Sequence, residues 1–294
     1  MRERARYRLL LAILAPLATA GCQQSPVQDA KPVVVASFYP MYEFARQVAG
    51  DRVRAVSLVP TGAEPHDWEP SPQDMTEVRR ASLFVYNGAG FEPWADKVKS
   101  EIDGKNTAVV SASAGIPLVG KDPHVWLDPT LARSEVEAIR AALTQIDPGG
   151  AALYATRAQA FSAKLAALDE RFAAGLHDCA RREVVVSHAA FGYLTRRYHL
   201  EQVPVMGLAP ESEPSPAALA AIVRFARQRK VETVFFETLV NRRLADTLGR
   251  EIGARALLLN PIEGLTREEA AAGRGYLDLM EANLASLRDG LGCR

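Results

Sequence analysis

The sequence has 294 residues, of which 48% are apolar and 24% are charged, a composition typical of one large globular domain or two medium ones. Lysine plus arginine and aspartate plus glutamate both number 35, so the formal net charge is zero. Arginines occur as scattered pairs such as Arg196-Arg197 and Arg242-Arg243, which we interpret as solvated helix faces. Without a basic surplus, we expect no nucleic-acid partner.

The first 22 residues have the three parts of a secretory signal: alternating arginines from Arg2 to Arg8, an apolar run from Leu9 to Leu17, and small residues up to Cys22. The apolar run is too short for a comfortable transmembrane span, and no second one follows. We therefore predict an exported protein, periplasmic or at the cell surface, with a signal peptide over residues 1–22.

Two cleavage sites compete in this signal. Cleavage after Ala20 would release a soluble protein, whereas cleavage before Cys22, with lipid added to its thiol, would leave a lipoprotein. Thr19 stands where bacterial lipoprotein signals usually carry leucine, but Cys22 and the polar tether over residues 23–32 favour the lipid anchor. We predict membrane contact only through this anchor.

Residues 33–148 alternate β-branched runs with helical patterns, which predicts an N-terminal α/β lobe. The predicted strands are Val33–Phe38, Val53–Val59, Leu83–Asn87 and Thr107–Ser111. The predicted helices are near Met41–Ala49, Pro72–Ala81, Pro93–Glu101 and Pro129–Gln145.

A connecting helix is predicted within residues 149–180. The stretch from Ala151 to Leu176 lacks proline and repeats apolar residues at roughly helical spacing. One helix of this length would run about 39 Å at 1.5 Å per residue. That length suits a rigid spine between two lobes better than a flexible hinge.

Residues 181–294 repeat the strand-helix alternation and predict a C-terminal α/β lobe. The predicted strands are Glu183–Ser187, Gln202–Met206, Thr233–Glu237 and Arg255–Leu259, and the predicted helices are near Ser215–Arg229, Arg242–Ile252 and Gly275–Leu291. Alternation with β-branched strands implies parallel sheets covered on both faces. The predicted fold class is α/β, with two doubly wound lobes joined by one long rigid helix.

If Cys22 carries lipid, two cysteines remain. An oxidising compartment permits a bridge between Cys179 and Cys293, and two separate thiols are the alternative.

Three of the five histidines lie in loops that follow strands: His66, His124 and His188. Each alone is more often a hydrogen-bonded loop histidine than a ligand, but their shared position points to the crevice where open α/β sheets bind ligands. We interpret His177 and His199 as structural.

An acidic side chain completes the candidate metal site. Glu263 lies in a tight loop after the last strand, and Glu237, Glu211 and Glu213 are rivals; spacing does not choose between Glu237 and Glu263. Three imidazoles and one carboxylate suit Zn²⁺, whereas Mn²⁺ prefers more oxygen and Cu(I) prefers thiolates. Asp67, Glu69, Asp122 and Asp128 are the nearby carboxylates that could orient a ligand histidine.

Four ordered segments carry a resemblance to a known family: GAEPHDWEP at 62–70, DPHVWLDP at 122–129, SHAAFGYL at 187–194 and LNPIEGLT at 259–266. They closely resemble the zinc-binding solute-binding proteins of bacterial ABC importers, over essentially the whole mature chain. The resemblance implies two lobes joined by a rigid helix, one metal ion in the interlobe cleft, and an importer permease in the membrane as partner.

The resemblance also decides between alternatives. Manganese-binding relatives tend to carry a carboxylate at the position matching His188, and the Asn-Pro-Ile-Glu form resembles the subgroup in which the glutamate binds the metal. The implied ligands are His66, His124, His188 and Glu263. One departure is that residues 111–121 contain no histidine, whereas many zinc relatives insert a histidine-rich loop there.

We expect a monomer that delivers Zn²⁺ to an importer and is not an enzyme. A zinc hydrolase is the alternative from another class, but His-Glu-x-x-His is missing and four protein ligands would close the site to a catalytic water. A manganese-selective protein on the same fold and a surface adhesin are further alternatives.

Overall fold

The structure is a computed structural model that describes residues 31–104, 106–205, 207–208, 216–239 and 249–294. Several predicted features lie outside these ranges: the signal peptide with Cys22, most of the tether, most of the helix near Arg242–Ile252, and the rival carboxylates Glu211 and Glu213.

The first half of the chain forms a parallel sheet with helices on both faces. Its strands are β1 (Val33–Ala36), β2 (Arg54–Ser57), β3 (Leu83–Tyr86) and β4 (Ala108–Ser111), in the order β2-β1-β3-β4. Its helices are α1 (Tyr39–Ala49), α2 (Pro72–Arg80), α3 (Ala95–Ile102) and α4 (Pro129–Ile146). Successive residues of β1 face opposite sides, so Val34 packs in the core with α1 and α4 whereas Val35 packs with α2 and α3.

The connecting helix is α5 (Ala151–Gly175), which has 25 residues. One stripe of it is buried against α1, α4 and the C-terminal helix, through Tyr154, Ala158, Phe161, Leu165, Leu168 and Phe172. Because these residues recur every three or four positions, the stripe follows one face of a regular helix. Among the described helices, none is both long and apolar enough to span a membrane.

The second half forms another parallel sheet with the same arrangement. Its strands are β5 (Glu183–Val186), β6 (Glu201–Pro204), β7 (Thr233–Phe236) and β8 (Arg255–Leu258), in the order β6-β5-β7-β8. The described helices are α6 (Gly192–Arg197), α7 (Pro216–Gln228), α8 (Arg267–Ala271) and α9 (Tyr276–Leu291). Val185 packs toward α7 on one face, and Val184 and Val186 join the main core with α9 on the other.

The predicted fold class is confirmed. The predicted strands extend one to three residues beyond the observed ladders, mostly at their carboxyl ends, where the chain leaves the sheet for the following loop or helix. The sequence patterns did not predict helices α6 and α8, because helices of six and five residues are too short to show a clear apolar periodicity. α8 nevertheless has a capping box between Thr266 and Glu269.

Cys179 and Cys293 form a disulfide, which decides the alternative that the sequence left open. The bond closes a loop of 114 residues that contains the second sheet and its helices. On the chain-entropy account, closing a loop of that length stabilises the fold by roughly 4–5 kcal/mol.

Candidate metal centre

Four side chains meet between the two sheets: His66, His124, His188 and Glu263. Each offers one ligand atom, and these atoms all lie within 4.8 Å of one another. His124 and His188 are fully buried, and the side chains of Glu263 and His66 are 1% and 7% exposed. The structure therefore brings together all four residues that the sequence had selected from distant positions.

The three imidazoles converge on one carboxylate oxygen. The Nε2 atoms of His66, His124 and His188 lie 3.3, 3.2 and 3.3 Å from Oε1 of Glu263. In a tetrahedral site with metal–ligand bonds of 2.0–2.1 Å, neighbouring ligand atoms lie about 3.3–3.4 Å apart. The three distances to Oε1 of Glu263 therefore fit a zinc-sized ion. Despite these short distances, the buried Nε2 atoms of His124 and His188 have no partner in hydrogen-bond geometry among the described residues. A metal ion bound beside Glu263 would give these buried nitrogens the partner that they lack.

His124 is oriented by Asp122. His124 follows β4 and precedes a short 3₁₀ turn (Val125–Leu127). Oδ1 of Asp122 lies 2.8 Å from Nδ1 of His124 and accepts the backbone N–H of the same residue at 3.0 Å. A donor proton on Nδ1 leaves Nε2 as the metal-facing atom. Of the nearby carboxylates, Asp128 instead caps α4 through Thr130.

His188 is oriented by Glu237, the residue that competed with Glu263 as a ligand. His188 comes two residues after β5, and Glu237 immediately follows β7 on the neighbouring strand. Oε1 of Glu237 lies 2.7 Å from Nδ1 of His188 and accepts its backbone N–H at 3.3 Å. Glu237 therefore stands on the far side of this imidazole from the cluster.

His66 is held differently from the other two histidines. It lies in a short 3₁₀ turn (Pro65–Asp67) after β2, and its backbone N–H donates to Oε1 of Glu64 at 3.3 Å. Its ring packs edge-on against Phe91, with centroids 4.8 Å apart, and Phe91 in turn packs on Trp126. Among the described residues, no carboxylate bonds Nδ1 of His66, so its orientation rests on packing and on the contact of Nε2 with Glu263.

The loop that carries Glu263 is fixed at several atoms. Ile262 has φ of 60°, which is unusual for a β-branched residue. Its N–H donates to Oδ1 of Asn260 at 2.7 Å, and the indole N–H of Trp126 donates to the carbonyl of Pro261 at 2.8 Å. Asn260 and Asn283 also exchange two hydrogen bonds. Strain of this kind persists where the surroundings over-determine the backbone.

Charge is paired inside the metal-free cluster. Burial opposes charge on His188, but Glu237 and Glu263 outweigh burial and raise its pKa to about 10. Burial likewise opposes charge on Glu263, but His124 and His188 hold its pKa well below the usual range. Burial, with Glu263 second, raises the pKa of Glu64 to about 8. At neutral pH a cation that binds Nε2 of His188 must therefore displace a proton.

The remaining sequence candidates lie outside the cluster. His177 is exposed just beyond α5, and its carbonyl accepts a hydrogen bond from Arg182. His199 follows α6 with φ of 56°. Trp68 packs on Trp94 with centroids 5.4 Å apart, in agreement with a packing role. Sequence reasoning had not singled out Asn260 and Asn283 as supports of the Glu263 loop, and the asparagine in LNPIEGLT was the signal available.

Two cavities flank the cluster. One of about 400 Å³ is lined by Tyr39, Thr61 and Glu263, and another of about 540 Å³ is lined by His66, Phe91 and Lys121. His124 and His188 line neither of these two cavities, in agreement with their full burial.

Residues 34–290 match the sequence profile of the family described as "Zinc-uptake complex component A periplasmic". The chain is 38% identical to the high-affinity zinc uptake system protein ZnuA of Bacillus subtilis (strain 168), over 96% of this chain and 94% of that protein. It is 36% identical to the zinc-binding lipoprotein AdcA of Streptococcus pneumoniae serotype 4, over 96% of this chain but 60% of AdcA.

Solved structures with the same fold agree. The Zn(II)-bound ZnuA-like domain of Streptococcus pneumoniae AdcA superposes with a TM-score of 0.82 at 37% identity, covering 89% of this chain and 99% of that chain. The laminin binding protein Lmb of Streptococcus agalactiae, described as a bifunctional protein with adhesin and metal transporting activity, has a TM-score of 0.82 at 33% identity and covers 88% and 99%.

Proposed function

The chain belongs to the zinc-uptake complex component A family, and we propose from this premise that it captures one Zn²⁺ ion outside the cytoplasm and delivers it to an ABC importer. The observation that carries the proposal is the convergence of three Nε2 atoms on one carboxylate oxygen at 3.2–3.3 Å. Zinc is the cargo, so the site has to bind the ion tightly and also release it.

The proposed ligands are His66, His124, His188 and Glu263. Neutral imidazole nitrogen is a borderline-soft donor that suits Zn²⁺, and a single carboxylate offers too little oxygen to favour Mn²⁺. Asp122 and Glu237 support this set because each fixes the tautomer and the ring direction of one ligand. A carboxylate hydrogen-bonded to the second ring nitrogen of a histidine is the arrangement expected around a protein-bound metal.

A solute-binding role is favoured over catalysis. A catalytic zinc site keeps a coordination position open for water, whereas four protein donors, all within 4.8 Å of one another, can fill a tetrahedral zinc site. Two of the four donors belong to fully buried residues, so a substrate larger than a metal ion has little access to them. We therefore propose a binding protein without enzymatic activity.

We also propose the boundaries and location expected from the sequence. Residues 1–22 are a lipoprotein-type signal, residues 23–32 a tether, and Cys22 the site of lipid addition; the name of AdcA as a lipoprotein supports the anchor. The lobes comprise residues 33–148 and 181–294, joined within 149–180, and the protein acts as a monomer beside the permease.

Metal analysis of the purified protein tests the function. We expect one zinc per chain and, in a competition titration, binding of Zn²⁺ in preference to Mn²⁺. His124→Ala should weaken zinc binding severely, and Glu263→Ala should weaken it less because water can replace one oxygen ligand. The matched control is His177→Ala, an exposed histidine outside the cluster. Unchanged affinity in both site variants would reject the ligand assignment.

A further inference from the structure

We propose that Tyr193 is a positioning residue for zinc capture, which acts from the second half of the chain to fix the loop that aims His124. The proposal rests on the function proposed above. It concerns a residue that offers no metal ligand and lies five positions after His188, on α6.

The hydroxyl of Tyr193 joins two backbone groups of the first half. It donates to the carbonyl of Asp122 at 3.0 Å and accepts the N–H of Val119 at 3.0 Å. Tyr193 is only 4% exposed, and its ring packs with Ile116 and Val125. Water has little access to this hydroxyl. In the described part of the structure, these two backbone groups are its only hydrogen-bond partners.

The hydroxyl reaches the metal ligand through Asp122. The carboxylate of Asp122 orients both the imidazole and the backbone N–H of His124, at 2.8 and 3.0 Å. A fixed backbone carbonyl at Asp122 therefore fixes the base from which this carboxylate projects. Without that hydrogen bond, the carboxylate can move relative to the imidazole, and Nε2 of His124 is no longer held toward the candidate metal position.

The residue before Tyr193 contacts the same carboxylate. A Cβ atom on Gly192 would lie 2.3 Å from Oδ2 of Asp122, a distance that side chains do not tolerate. Gly192 and Tyr193 thus hold Asp122 from two sides, the carboxylate by close approach and the carbonyl by a hydrogen bond. A side chain at position 192 would have to displace the Asp122 carboxylate.

The loop needs an external anchor because it has little structure of its own. Between β4 and the turn after His124 it contains Gly120 with φ of 61° and the exposed side chains of Leu118 and Val119. The connection from β5 to α6 supplies both His188 and this anchor. Ordering of His124 is therefore coupled to the docking of the second half.

Tyr193→Phe tests the proposal because it removes only the hydroxyl and keeps the packed ring. We expect zinc affinity to fall by about five- to thirtyfold, the factor that loss of one or two buried hydrogen bonds gives, with a faster dissociation rate. The visible absorption of the Co²⁺-substituted protein should change, since it reports ligand geometry. Gly192→Ala should weaken binding at least as much.

Tyr154→Phe is the matched control. Tyr154 is also a buried tyrosine, and its hydroxyl donates to Asp147 at 2.5 Å, at the opposite end of α4 from His124. It should lower stability without changing zinc affinity or the cobalt spectrum. A double-mutant cycle of Tyr193→Phe with Asp122→Asn should be non-additive for zinc affinity, because both changes act through one path.

The outcomes separate this proposal from the one it rests on. If the wild-type protein binds no zinc, both are overturned. If the wild type binds zinc and Tyr193→Phe matches it in affinity, dissociation rate and cobalt spectrum, only the positioning role is overturned. Additive effects with Asp122→Asn, or an equal loss in Tyr154→Phe, would also overturn that role.

Discussion

The two sheets repeat one strand order but use equivalent positions differently. In the first half, β1 is followed by Ser37 and Phe38, and β3 by Asn87; in the second half, β5 is followed by Ser187 and His188, and β7 by Glu237. Phe38 packs on Phe91 and Trp126 with centroids 4.3 and 5.0 Å apart. At the matching place in the second sheet, His188 is a candidate ligand bonded to Glu237.

The difference shows that the scaffold position does not decide the role. The side-chain amide of Asn87 donates to the carbonyl of Pro123 at 3.0 Å, and Phe38 packs on Trp126. The first pair, Phe38 and Asn87, therefore supports the loop that carries His124. In the second pair, His188 faces the candidate metal position and Glu237 contacts the opposite side of its imidazole. The first half contributes its candidate ligands, His66 and His124, from loops after its two edge strands, β2 and β4.

The largest expected effect comes from making the second half copy the first. His188→Phe places the residue of position 38 at position 188 and removes one of four donors. If zinc binding is worth ~10–16 kcal/mol, one donor in four corresponds to an affinity loss of roughly 100- to 1000-fold. Calorimetric titration measures this loss, with His177→Phe as the matched control. Retained affinity would show that the two positions are interchangeable.

A smaller effect is expected from the partner of that histidine. Glu237→Gln keeps an oxygen acceptor but removes the charge, and loss of such a support typically lowers metal affinity 10- to 100-fold. Glu135→Gln is the matched control, because Glu135 is a fully buried carboxylate of α4 and is not among the proposed ligands. In the described part of the chain its oxygens have no hydrogen-bond partner. If Glu237→Gln weakens binding more than Glu263→Ala does, the two glutamates have the opposite roles.

The smallest effect concerns protons. The pKa of His188 is raised to about 10. The pKa of His124 is also raised, because the effect of Asp122 and Glu263 outweighs burial, which lowers it. The imidazole of His188 therefore carries a second proton in the metal-free protein at neutral pH, and zinc must displace that proton. Affinity should rise about tenfold per pH unit for each proton displaced, up to the imidazole pKa.

Calorimetry in buffers of different ionisation enthalpy counts these protons. We expect release of at least one proton near pH 7 and fewer in His188→Phe. With unperturbed imidazoles, binding would fade below about pH 6.5. The raised pKa values move the onset of that decline to higher pH. An enthalpy independent of buffer would contradict the charge pairing.

Most of the fold was predictable because its signals are local. The β-branched strands and the apolar stripe of α5 are periodic patterns that a sequence displays directly. The short helices α6 and α8 were missed because a helix of five or six residues shows little more than one period of such a pattern.

The site was predictable in part. The loops of His66, His124, His188 and Glu263 could be found from their position after strands, and the resemblance chose Glu263 over Glu237. The pairing of His188 with Glu237 spans 49 residues and depends on which strands are neighbours, so no local pattern contains it. The contact of Tyr193 with Asp122, across 71 residues, depends on how the two halves pack.

The buried stripe of α5 has a mechanical consequence. A hinge works where bending exposes little apolar surface, but this helix is packed along its length against α1, α4 and α9. Burial stabilises by about 25 cal/mol for each Å² of apolar surface, so a wide swing of the lobes would be opposed at every turn of the helix. On the function proposed above, zinc exchange would then proceed through small displacements of the loops that carry the four cluster residues, and not through bending of α5.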